Sequence, residues 1–162
     1  MRAFPLFAIA TVMAVPAAAQ MAPKTTPKAF VMKAGASDQY EIQSSQLLLQ
    51  TTQNAQLRDY ANMMITDHTK STADVKAAAQ QAGFTPAPPK LDAMGTRNIA
   101  ALRRTKGTAR DLLYVQQQKT SHQMALELHQ GYAANGTSEP LKTAAAGIAP
   151  VVQHHIEMIS SM

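Results

Sequence analysis

Apolar residues recur at every third or fourth position through most of the chain, the period of a helix that buries one face. β-branched alternation is absent, and glycine and proline gather between the periodic segments. A first long helix is predicted from about Lys28 to Thr52, with an inward stripe of Phe30, Ala34, Ser37, Glu41, Ser45 and Leu48. A second runs from about Asn54, a good cap, to Ala82. Its stripe is Leu57, Ala61, Met64, His68, Thr72, Val75, Ala79 and Ala82, and Gly83 supplies the stop.

A long connection follows, proline-rich at first, with a short helix expected near 91–104. The third long helix starts at Thr108, with Asp111 completing a capping-box pair, and runs to about Ala134. Its stripe is Val115, Gln118, His122, Ala125, His129 and Tyr132, with Leu112, Tyr114 and Leu128 beside it. After "NGTSEP", Ser138 caps the fourth, whose stripe is Leu141, Ala145, Ile148, Val152, His155 and Ile159. Pro140 suits its first turn, and Pro150 should bend it.

Loop lengths then give topology. The first and second helices join directly, as do the third and fourth, so each pair is an antiparallel hairpin. The long link between the pairs predicts an all-α fold, a ferritin-like four-helix bundle with one long crossover between its second and third long helices. Simple up-down-up-down order would not need that length.

Each stripe carries one strongly polar residue: Glu41, His68, His122 and His155. Measured from the first turn at ~1.5 Å per residue, they lie ~16, ~21, ~20 and ~14 Å down, within ~7 Å of one another. Buried polar groups need partners. Three imidazoles and a carboxylate at one depth can bind a transition-metal ion, with zinc, iron, manganese and copper all candidates. Asp67, His154 and Glu157 are placed to support such ligands from behind. The alternative is a His–Glu hydrogen-bond network that fixes helix register. A di-iron carboxylate site is excluded, because Ile65, Lys119 and Val152 stand where Glu-x-x-His needs glutamate. Met63, Met64, Met124 and Met158 read as core filler, and Tyr40, Tyr60, Tyr114 and Tyr132 as core-edge aromatics.

Composition narrows the compartment. "MRAFPLFAIATVMAVPAAAQ" has Arg2, a short apolar run and a small-residue site, the layout of a signal peptide cleaved after Ala19. Residues 20–27 read as a disordered leader and 28–162 as the bundle domain. A soluble periplasmic product of a bacterium is expected, with no transmembrane span in the mature chain. The chain has no cysteine, which excludes disulfides, thiol chemistry and thiolate metal sites.

The net charge is +5, and Arg97, Arg103, Arg104, Lys106 and Arg110 fall in one run without an acid. That run suits weak contact with an anionic surface, although a solvated connection is the plainer reading. Nucleic acid is not an expected partner. No nucleophile elbow or phosphate-binding loop is present. The reading leans away from an enzyme, toward an exported helical protein that binds one metal ion or small ligand. Its rivals are a non-enzymatic envelope or stress protein acting through its surface, and a metal-dependent oxidase or hydrolase with an open coordination position.

The segments "AFVMKAGASDQYEI", "MMITDHTK", "DLLYVQQQKTSHQMALEL" and "IAPVVQHHIEM" resemble the bacterial domain-of-unknown-function 4142 family, over about residues 28–160. The resemblance implies an exported, helical, ferritin-like protein and supplies no activity. Family positions fall on Glu41, Asp67, His68, Asp111, Tyr114, His122, Pro150 and His155. The family commonly has Phe before Asp111; Arg110 stands here, which is expected to loosen the start of the third long helix.

Overall fold

Local chemistry sets where each helix begins. In the computed structural model, which describes residues 25–162, Thr26 Oγ1 accepts the Ala29 N–H at 3.2 Å and Pro27 takes the first helical position. This starts α1, Pro27–Leu49, one residue before the helix start expected from the sequence. The signal-peptide assignment, 1–19, lies outside the described residues.

Asn54 Oδ1 caps α2, Ala55–Gln81, which ends where Gly83 adopts a φ of 87°. Asp92 caps α3, Ala93–Arg104, by accepting the Gly95 N–H at 2.7 Å. The other long helices are α4, Gly107–Asn135, and α5, Glu139–Ser160.

Two capping expectations give way. Residue Lys106, not Thr108, precedes α4, and no side chain caps it. Asp111 instead accepts a hydrogen bond from Thr52 Oγ1 at 3.0 Å. Ser138 precedes α5 but makes no capping bond. Helix α5 runs unbroken through Pro150, which is exposed. The amide that proline lacks would have bonded the carbonyl of Ala146, an exposed residue.

All five elements are helices, with no strand among the described residues. Helix α1 packs along α2, and α4 along α5; α2 also meets α5, and α1 meets α4. The short α3 lies outside, against α1 and α4. Helix α4 starts beside the end of α1, since Arg110 Nη1 donates to the Leu47 carbonyl at 3.0 Å and to Thr51 Oγ1 at 3.2 Å. The chain between α2 and α4 therefore returns along the length of the molecule.

Arg110 corrects two expectations. It is buried, so it does not belong to an exposed basic run, which keeps Arg97, Arg103, Arg104 and Lys106. Nor does it loosen α4: with a further bond from Nε to the Thr105 carbonyl at 2.9 Å, it ties the helix start to α1 and to the end of α3.

The core has two apolar ends and a polar middle. One end, at the α1–α2 turn, packs Leu48, Leu57, Tyr60, Met64, Leu102, Tyr114 and Ile159. The other, at the α4–α5 turn, packs Phe30, Val75, Leu126, Leu141 and Val152 among many alanines. Between them lie Asp38, Glu41, Ser44, His68, Gln118, Ser121, His122 and His155, all buried. The four tyrosines are core residues rather than core-edge ones, each 3% exposed or less. Leu112 and Met124, by contrast, face outward. No helix among the described residues is long and apolar enough to cross a membrane.

Arg110→Ala should lower unfolding stability by about 2–3 kcal/mol, because it removes charged hydrogen bonds and strands the Leu47 carbonyl. Arg103→Ala, on the exposed face, should stay within about 0.5 kcal/mol of the parent. Urea denaturation of the two variants measures both. Equal effects would refute the structural role given to Arg110.

Candidate metal centre

Three long helices deliver one imidazole each to the polar middle: His68 from α2, His122 from α4 and His155 from α5. They are 4%, 0% and 1% exposed. Their ring centroids stand 5.3–5.5 Å apart in a triangle. One ring nitrogen of each lies within 4.8 Å of the other two.

Each ring is held from behind. His68 Nδ1 lies 2.8 Å from Asp38 Oδ1, His122 Nδ1 lies 3.1 Å from the Gln118 carbonyl, and His155 Nε2 lies 2.9 Å from Asp67 Oδ2. Carboxylates and carbonyls only accept, so each of these nitrogens carries the hydrogen and donates it. That fixes the tautomers of the neutral rings. The other nitrogens, His68 Nε2, His122 Nε2 and His155 Nδ1, are buried and have no hydrogen-bond partner.

Such orphaned nitrogens are costly in a dry core and are what a metal ion satisfies. The carboxylate–histidine pairing behind them is the usual support of a metal-bound imidazole. The donor set therefore fits an ion. At about 2.1 Å per bond, an ion reaches all three only if the rings draw slightly inward.

Electrostatics distributes the protons unevenly. Burial alone would lower the His68 pKa, but the hydrogen bond and charge of Asp38, with help from Glu41 and Asp67, raise it. Burial lowers His122 and the neighbouring His68 charge adds to this, while Glu41 opposes it. Burial likewise pushes His155 down to about 4, helped by His68 and His122 and resisted by Asp67. Of the three rings His68 takes up a proton most readily as pH falls, and a proton on its Nε2 would compete with a metal ion.

Glu41 does not join the three nitrogens. Its Oε1 accepts from Ser121 Oγ at 2.6 Å and its Oε2 accepts from Gln118 Nε2. It faces the back of His122, with Oε1 3.8 Å from Nδ1. Of the residues expected to support the ligands, Asp67 does so directly. His154 and Glu157 lie on the exposed face of α5, where Glu157 accepts from Gln153 instead.

The sequence reading passed over Asp38, which also accepts from Thr72 Oγ1 at 3.0 Å. The signal was present, because Ala34, Asp38 and Glu41 are spaced four and three apart, as good a helical stripe as the one through Ser37. Tyr60 was likewise placed too far out. Its ring lies 6.4 and 6.5 Å from those of His122 and His155 and closes the site toward the α1–α2 end.

The family model for a domain of unknown function, DUF4142, matches residues 12–162. The chain belongs to that family. No curated protein matches it significantly. Two solved structures share the fold of this DUF4142 protein. CopM in its Cu(II)-bound form is 19% identical, with a TM-score of 0.72 over 86% of this chain and 96% of that one. CopM in a silver-bound form is 20% identical, with a TM-score of 0.68 over 84% and 93%.

The buried imidazoles set a pH dependence. His129, on α4 two turns beyond His122, is also held near 4 by burial. An unfolded imidazole titrates near 6.5, so the unfolded chain binds more protons between these values. Stability contributed by a neutral His129 is complete above about pH 6.5 and is lost as pH falls toward about 4. His129→Leu should shrink the stability difference between about pH 7 and pH 5 in urea titrations. An undiminished difference would show that His129 is not the group responsible.

Proposed function

We propose that this protein binds one transition-metal ion through His68 Nε2, His122 Nε2 and His155 Nδ1, and that holding the ion is its biochemical role. The observation that carries this reading is the convergence of three buried, unpartnered ring nitrogens, each oriented by a hydrogen bond on its far side. A purely structural His–Glu network would leave none of them idle.

Neutral imidazoles without thiolate suit copper(II) and zinc, and the ordinary affinity order favours copper. The fold similarity to CopM bound to Cu(II) and to silver supports that choice. The ion would act as a cargo or a fixed centre rather than a catalyst, since a site this enclosed offers a substrate no cleft. The signal-like N-terminus and the family membership support an exported, periplasmic protein. The hairpin pairs and the long return between them support placing the fold in the ferritin-like group.

Untagged protein purified from the periplasm should carry near-stoichiometric metal by elemental mass spectrometry, and His122→Ala should lose it. Asp38→Asn should weaken binding by about 10–100-fold while keeping the three ligands. A chain that takes up no ion after incubation with copper, zinc, iron and manganese would reduce the triad to a structural polar core.

A further inference from the structure

Both apolar ends leave buried polar atoms unpaired, but the α1–α2 end leaves only Asp111 Oδ1 among the described residues. Toward the α1–α2 turn the tyrosine hydroxyls are bonded: Tyr114 to Ser45 at 2.8 Å and Tyr60 to Gln118 at 3.5 Å. Toward the α4–α5 turn Ser71 Oγ, His129 Nδ1, Tyr132 OH and Ser138 Oγ all lack a partner. Ser71 and His129 are 6% and 2% exposed.

These groups are ordered along the axis. By helix rise, Ser71 lies ~4.5 Å from the His68 level and His129 ~10 Å from the His122 level, both in the direction of the α4–α5 turn. Phe30 meets the His129 ring edge-on at 5.5 Å and stacks on Tyr132 at 4.0 Å. Beyond this ring pair is an open depression lined in part by Thr26, Phe84 and Ser138. The surrounding core mixes six alanines with Val75, Leu126, Leu141, Ile148 and Val152.

Each unpaired buried group costs about 1–3 kcal/mol, and a structural core gains nothing from a row of them. A cation passing along the row would satisfy them in turn. Resting on the triad as the destination, we infer that His129 is a transfer ligand on an axial entry route by which a transition-metal cation reaches the site from the α4–α5 end. The step is ligand exchange, with no change of oxidation state. The side approach is less suited to loading. Asp67 is 33% exposed there, but an ion arriving beside it meets the N–H face of His155 rather than its free nitrogen.

Stopped-flow absorption with cobalt(II) measures loading, and titration of the same full-length proteins measures affinity. His129→Leu should slow loading about tenfold or more, with triad affinity within about twofold of the parent. His129→Gln, which keeps a polar side chain, should slow it less and decides the matter if the leucine variant does not fold. An unchanged loading rate in both variants would overturn the inference. So would a slowing confined to Asp67→Asn, or an affinity loss in His129→Leu as large as its loss of rate. If His122→Ala binds cobalt(II) as the parent does, the triad reading itself fails and the route loses its destination.

Discussion

Three outward hydrogen bonds, His68 to Asp38, His122 to the Gln118 carbonyl and His155 to Asp67, govern the middle of this molecule. Each fixes a ring plane and a tautomer, and together they leave three lone pairs pointing at one another. Two of them also join helices: Asp38 ties α1 to α2, and Asp67 ties α2 to α5. Glu41 adds a third tie through Ser121 and Gln118 on α4. The polar belt therefore sets the axial register of the four long helices, since a slip of one turn along any of them would strand several buried charges at once.

The belt also explains why the apolar ends differ in make-up. Large side chains, with Tyr60 against the imidazoles, close the α1–α2 end, and Arg110 pins the start of α4 beside them. The opposite end sets the stacked Phe30 and Tyr132 among alanines and the branched Val75, Leu126, Leu141, Ile148 and Val152. The centre is thus supported from behind by its hydrogen bonds and closed toward the α1–α2 end by Tyr60. Asp38 favours a proton on His68 as pH falls, while burial favours the neutral form of the other two rings.

Much of this was legible in the sequence because a helix projects onto one dimension. Period 3.6 located the long helices, and constant rise placed His68, His122 and His155 at one level before any contact was known. His155 rather than His154 followed from the same stripe. What the sequence hid was partner choice. Asp38 and Glu41 lie on adjacent turns of one face, and only the rotation of α1 against α2 and α4 decides which carboxylate meets an imidazole and which meets Ser121 and Gln118. Arg110 was hidden for a related reason: in sequence it continues a basic run, but the α3–α4 corner turns it inward to the open carbonyl of Leu47. Tyr60 and Tyr114 took buried places that a polar-tipped ring earns only when its hydroxyl finds a bond, which composition cannot reveal.

The most direct test is long-range nitrogen–proton NMR of the histidine rings in the metal-free protein, followed by titration with zinc(II), which is diamagnetic. The account predicts a neutral Nδ1–H ring for His122, a neutral Nε2–H ring for His155 and a protonated His68 at mildly acidic pH. It also predicts that zinc shifts His68 Nε2, His122 Nε2 and His155 Nδ1 together and leaves exposed His154 unchanged. Opposite tautomers for His122 and His155, or a titration in which zinc moves His154 and leaves the triad untouched, would contradict it.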